Sequence, residues 1–115
     1  MTVDNILFPA LVQHQDDAEL SFIATPDDWA RRALEPHFYR GVQPGDRLID
    51  SQGRVFWLCC AGAVVRAEQS DELLSLPQVL ALVRGHAALQ NSCCAGKLGA
   101  RDLSEAIHLV AHLTD

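Results

Sequence analysis

The sequence predicts an α+β fold: an antiparallel sheet of hairpins, about four to six strands in all, with two main helices and one short helix packed on one face. Three observations predict it. Apolar runs flank the polar loop Asp50-Ser51-Gln52-Gly53, a second pair of alternating segments flanks Gln15-Asp16-Asp17, and two helical stripes occupy the C-terminal half. Strands therefore precede helices, an arrangement that favours helices segregated to one side of an antiparallel sheet.

Each element follows from its residues. Phe8 to Gln15 alternates, with Ala10, Val12 and His14 on one face and Leu11 and Gln13 on the other, so it reads as a strand. The turn Gln15-Asp16-Asp17 leads to a second strand, Glu19 to Ala24, where Leu20 and Phe22 oppose Ser21 and Ile23. Thr25 N-caps a short helix, with Pro26 at its first position and Asp27 and Asp28 at the positive dipole end. Trp29 and Leu34 are placed against the sheet, and Pro36 stops the helix. His37 to Gly45 reads as a loop with Pro44-Gly45 as its turn.

The central stretch, Asp46 to Leu58, reads DRLIDSQGRVFWL. Asp50 can accept bonds from its own turn backbone, and Gly53 can take the left-handed conformation of a bulge-closed hairpin loop. The apolar run continues to Gly62, followed by another strand from Ala63 to Ala67; Gly62 is either a turn or a bulge. Ser75 and Gln78 form a capping box, and Leu76, Val79, Leu80, Val83 and Ala87 make one helical stripe. Cys93 to Leu98 reads as a short buried strand. Asp102, or the residue before it, opens a last helix with Leu103, Ile107 and Val110 as its core stripe.

Bulk properties narrow the function classes. At 115 residues the chain suits one domain spanning 1–115. Its 15 acidic and 9 basic side chains leave a net charge of −6, and no Lys or Arg run offsets it, so nucleic acid is not an expected partner. The opening MTVDNILFPALV lacks a basic start, and no window is apolar enough to span a bilayer, so a cytoplasmic protein without membrane contact is expected. The four cysteines form two adjacent pairs, Cys59-Cys60 and Cys93-Cys94, expected as free thiols in that compartment. In a strand Cys59 and Cys60 point to opposite faces, so packing is their expected role.

Three clusters are candidates for chemistry. His86 lies on the long helix near Cys93, Cys94 and Lys97, and a base beside a thiol can activate it. No Cys-x-x-Cys is present, and adjacent cysteines more often pack as small hydrophobes. Glu105, His108 and His112 share one face of the last helix at metal-ligand spacing, but a closed site needs more ligands, and solvated side chains are the competing reading. Trp29, Arg32, Phe38 and Tyr39, with Arg31 and Arg40, combine aromatics with arginine as protein interfaces do; the competing reading buries Trp29 and Phe38 in the core. No nucleophile elbow, phosphate loop or dinucleotide fingerprint occurs.

The segments FPALVQHQDDAELSFI and GDRLIDSQGRVFWL, the capped helix ending near His86, and the CCAGKL segment together resemble a small uncharacterised family of proteobacterial cytosolic proteins, a domain of unknown function. The resemblance covers nearly the whole chain. It implies a single α+β fold and no activity, cofactor or catalytic residue. The expectation from all of this is a small non-enzymatic protein-binding module, paired as a homodimer, with no cofactor. The alternatives are a thiol-dependent enzyme or redox sensor using Cys93 or Cys94 with His86, and a metal-binding protein.

Overall fold

Strands β1 (Ala10–Gln13), β2 (Leu20–Ile23), β3 (Arg47–Ile49), β4 (Arg54–Cys60) and β5 (Val65–Leu73) make one antiparallel sheet in the order β2-β1-β3-β4-β5. The structure is a computed structural model that describes residues 6–90 and 95–113. The helices are α1 (Pro26–Ala33), α2 (Pro36–Tyr39), α3 (Leu76–Leu89) and α4 (Leu103–Leu113), with a short 3-10 turn at Ala95–Lys97. The mixed α+β class and the antiparallel sheet match the sequence-based expectation.

The local signals act where they were read. Thr25 Oγ1 accepts from the Asp28 N–H at 3.1 Å, starting α1. Ser75 and Gln78 form the reciprocal capping box that starts α3. Asp102 Oδ1 accepts from the Glu105 N–H at 2.8 Å and opens α4. Between β3 and β4, the Gly53 N–H donates to Asp50 O at 2.9 Å and Gly53 sits at φ +81°. That is a bulge-closed hairpin loop, whose αL position suits glycine. Gly62 sits at φ +68° beside the bond from Ala61 N–H to Val64 O, so it is the turn between β4 and β5. A bulge lies further along β5: Arg54 and Phe56, two apart, pair with Leu73 and Gln69, four apart.

The helix packing differs from expectation. Helices cover both faces of the sheet, not one. Ala10, Val12, Leu48 and Phe56 pack with Trp29, Ala33 and Phe38 of α1 and α2. Leu11, Ile49 and Val55, the alternate residues of the same strands, pack with Val79, Leu80 and Val83 of α3 and Ala106, Ile107 and Val110 of α4. Adjacent strand residues point to opposite faces, so consecutive buried pairs such as Leu48-Ile49 and Val55-Phe56 require apolar cover on both. Two smaller expectations also change. Pro36 does stop α1 but then starts α2, because proline suits the first position of a new helix. The expected strand from Cys93 to Leu98 is in its described part a 3-10 turn with Gly96 and Lys97 exposed.

Candidate functional site

The register of β1 against β3 builds the site. Leu11 pairs with Ile49, Val12 with Leu48 and Gln13 with Arg47, so one further step sets His14 opposite Asp46. Both leave the sheet on the face that α1 and α2 cover, since His14 follows Val12 by two residues and Asp46 precedes Leu48 by two. A Pro44-Gly45 turn holds Asp46 in place. The Asp46 N–H donates to Gln43 O at 3.1 Å, and Gly45 takes φ +99°, as the third position of a type II turn requires.

Asp46 is 2% exposed, and both of its oxygens are occupied. Oδ1 accepts from the Gln15 N–H at 2.8 Å; Oδ2 accepts from the Gln43 N–H at 3.0 Å and lies 2.6 Å from His14 Nδ1. Burial alone would raise the Asp46 pKa, but the Gln15 N–H, the His14 side chain and the Gln43 N–H together hold it below the usual carboxylate value. An ionised carboxylate only accepts hydrogen bonds, so His14 Nδ1 carries the proton of this contact. The imidazole is thereby oriented, with Nε2 as its remaining functional atom. The His14 side chain is 41% exposed, so the anion is buried and the ring is reachable.

His14 and Asp46 line a cleft of about 410 Å³ between the sheet end and α1–α2, with Arg32, Glu35, His37 and Phe38 on the opposite wall. That volume falls within the range of small-ligand sites. Phe38 organises the wall: its ring meets His14 edge-on at 6.1 Å between centroids, Trp29 edge-on at 6.0 Å, and the Arg32 guanidinium at 5.7 Å. No carboxylate among the described residues pairs with Arg32, whereas its neighbour Arg31 is bound to Asp28.

A family model, DUF4144, described as a protein structure with unknown function, matches residues 8–110. The chain belongs to this family. One solved structure, an NMR structure of the protein from Shewanella amazonensis, is similar over 95% of this chain and 90% of that chain, with 28% identity and a TM-score of 0.65. The comparison with curated proteins finds no match. The resemblance read from the sequence, an uncharacterised proteobacterial domain, is therefore shown.

In this DUF4144 domain the residues singled out from sequence are distributed as follows. Trp29 and Phe38 are buried in the core beneath the cleft, Arg32 stands on its wall, and Tyr39 is half-buried against the same cluster. His108 and His112 are exposed; His108 Nδ1 lies 2.9 Å from Ser104 O, and the Glu105 carboxylate takes Arg101 Nε at 3.3 Å. Among the described residues no three His, Cys, Asp or Glu side chains converge at metal-holding distance. Cys93 and Cys94 lie outside the described residues. Cys60 is exposed, and burial together with Glu68 pushes the Cys59 thiol up, away from the thiolate. No helix among the described residues is long and apolar enough to cross a membrane.

His86 is fully buried, and it acts on the fold. Its Nδ1 accepts the Leu20 N–H at 3.0 Å, anchoring the first residue of edge strand β2, while Nε2 has no hydrogen-bond partner among the described residues. Burial lowers the His86 pKa from 6.5, against a smaller opposing pull from Glu19. The unfolded chain therefore takes up this proton first as the medium acidifies. His86 thus favours the folded state fully above pH 6.5, and that contribution is lost as pH falls below it. Urea unfolding should show a lower midpoint at about pH 5.5 than at about pH 7.5, and His86→Gln, which retains an acceptor but does not titrate, should shrink the difference. An undiminished difference in that variant would reject this role.

Proposed function

We propose that this domain is a non-enzymatic binding module that recognises a protein partner through the His14–Asp46 cleft. The observation that carries the proposal is the oriented imidazole: a buried, fully bonded carboxylate holds His14 at 2.6 Å on the wall of an open cleft. Binding sites are preorganised in this way, by rigid supports behind a reachable polar group. Support for binding over catalysis comes from the lining. Among the described residues it contains no Ser, Thr, Cys or Lys, so the hydroxyl, thiol and amine nucleophiles that a histidine base usually activates are not part of the lining.

A photo-crosslinking amino acid at His37, on the cleft wall, is compared with one at His112 on α4, both exposed positions. The expected result, in cells that make the protein, is a discrete protein adduct from position 37 that position 112 does not give. An adduct only with a second copy would make the partner the chain itself, as the sequence-based homodimer expectation has it. Equal or absent adducts at the two positions would reject the cleft as the recognition site.

A further inference from the structure

We infer that the group this cleft recognises is a carboxylate, supplied by the partner's chain terminus or by an Asp or Glu side chain, and bound between Arg32 and His14. The inference rests on the binding reading above and names the chemistry of the same site. It follows from which polar atoms are already committed. Asp46 accepts from Gln15, Gln43 and His14, and Asp17 Oδ1 accepts from the Glu19 N–H at 2.9 Å. The buried Asp46 charge is thus turned inward, onto protein donors. Facing the cleft are the Arg32 guanidinium, held over Phe38 without a carboxylate partner among the described residues, and the far nitrogen of His14, with the exposed Asp17 and Glu35 carboxylates also on the lining. Arg32 and His14 both border the Phe38 ring, at 5.7 Å and 6.1 Å from its centroid, and both line the cleft, so a ligand held there lies among both. A guanidinium fork matches a carboxylate in a paired, coplanar geometry.

The dyad decides what His14 can offer a ligand. His14 Nδ1–H is taken by Asp46, so Nε2 carries a hydrogen only when the imidazole is a cation. A carboxylate can therefore accept from Nε2 only when His14 is the cation, the form that the neighbouring Asp46 carboxylate favours. The other charged or titratable groups around His14 are Asp46 before β3, Asp17 in the β1–β2 turn, Arg32 of α1, Glu35 before α2 and His37 of α2, with Asp16 and Arg47 on its other side. Glu35 opposes an anion and Arg32 favours it, so the Arg32 contact and the protonated His14 both contribute to holding the carboxylate.

The test is amide and imidazole NMR on the full chain with three capped tripeptides: acetyl-trialanine with a free carboxylate, its C-terminal amide, and acetyl-Ala-Glu-Ala-amide. One or both carboxylate peptides should shift the Gln15 and Gln43 amides and the His14 ring, and which of them does so identifies the source. The trialanine amide should not. Arg32→Gln should weaken binding about tenfold at every pH, as loss of a charge-assisted pair does. His14→Gln, which can still donate to Asp46 but presents no cationic imidazole to the ligand, should also weaken binding of the carboxylate peptides. Equal shifts from the neutral amide, or none from either carboxylate, would overturn the carboxylate assignment. The crosslinking comparison is independent, so the cleft can remain the recognition site when this assignment fails.

Discussion

Replacing Gly53 with alanine is expected to remove about 4 kcal/mol of folding stability, a loss at the upper end for a single substitution. Two costs combine. Gly53 lies at φ +81°, where an L side chain is strained, and an added Cβ would stand 2.2 Å from the Leu74 carbonyl oxygen and 3.3 Å from Leu103 Cδ1. The contact with Leu74 is backbone against backbone, so no rotamer change relieves it. It is also a designed closure: Gly53 O accepts the Leu74 N–H at 2.8 Å, joining the β3–β4 loop to the lead-in of α3. Gly62→Ala supplies the comparison. It shares a positive φ of +68° but has nothing within 4 Å of its added Cβ, so only the left-handed strain applies, about 1–2 kcal/mol. Urea unfolding of both variants separates the terms. Equal losses would show that the approach to Leu74 has no energetic weight.

The second large effect is expected at Asp50, which is 0% exposed. Its Oδ1 accepts from the Gln52 N–H at 3.0 Å and the Arg54 N–H at 2.9 Å. Its Oδ2 accepts from the Leu7 N–H at 3.2 Å and Arg54 Nε at 2.8 Å. Asp50→Ala leaves these donors without their acceptor and strips a buried ion pair of one member, a change that costs about 3–5 kcal/mol. Asp50→Asn should recover little of it, because one amide NH₂ would then face two donors. By contrast, Glu105→Ala breaks only the exposed pair with Arg101 and should cost under about 1 kcal/mol. Thermal or urea unfolding of the three variants checks the order, and an Asp50→Asn protein close to the unaltered one in stability would refute the account.

The parts of the fold that were legible are those decided within a few residues. Thr25 with Asp28, Ser75 with Gln78, and Asp50 with Gly53 are short-range bonding patterns that local backbone chemistry dictates. The cleft was not legible in that way. His14 was placed on the Ala10–Val12 face and Asp46 at the edge of the central hairpin, and each placement holds. What joins them is a strand pairing between residues 32 positions apart in sequence, which no local pattern encodes. One signal was available: a histidine continuing an apolar strand face into a turn, and an aspartate at the start of a strand that pairs with it. The aromatics near Arg32 were read as an interface, and in the structure Trp29 and Phe38 support the cleft from within the core.

The two-sided sheet teaches the same lesson from the other direction. Leu48-Ile49 and Val55-Phe56 carried the information that both faces need cover, since neighbouring strand residues point opposite ways. The order of elements, strands then helices, argued for one side and overshadowed it.

Composition, periodicity and capping residues by themselves determined an α+β chain with an antiparallel sheet, its main turns and the starts of its three longer helices, because those follow from backbone bonding and side-chain spacing over a few residues. Tertiary structure alone decided which face each helix covers, that His86 is locked against Leu20, and that His14 meets a buried Asp46 beside Arg32. These depend on register and burial between distant segments, where the free energy comes from desolvation and paired polar groups that the order of residues does not display.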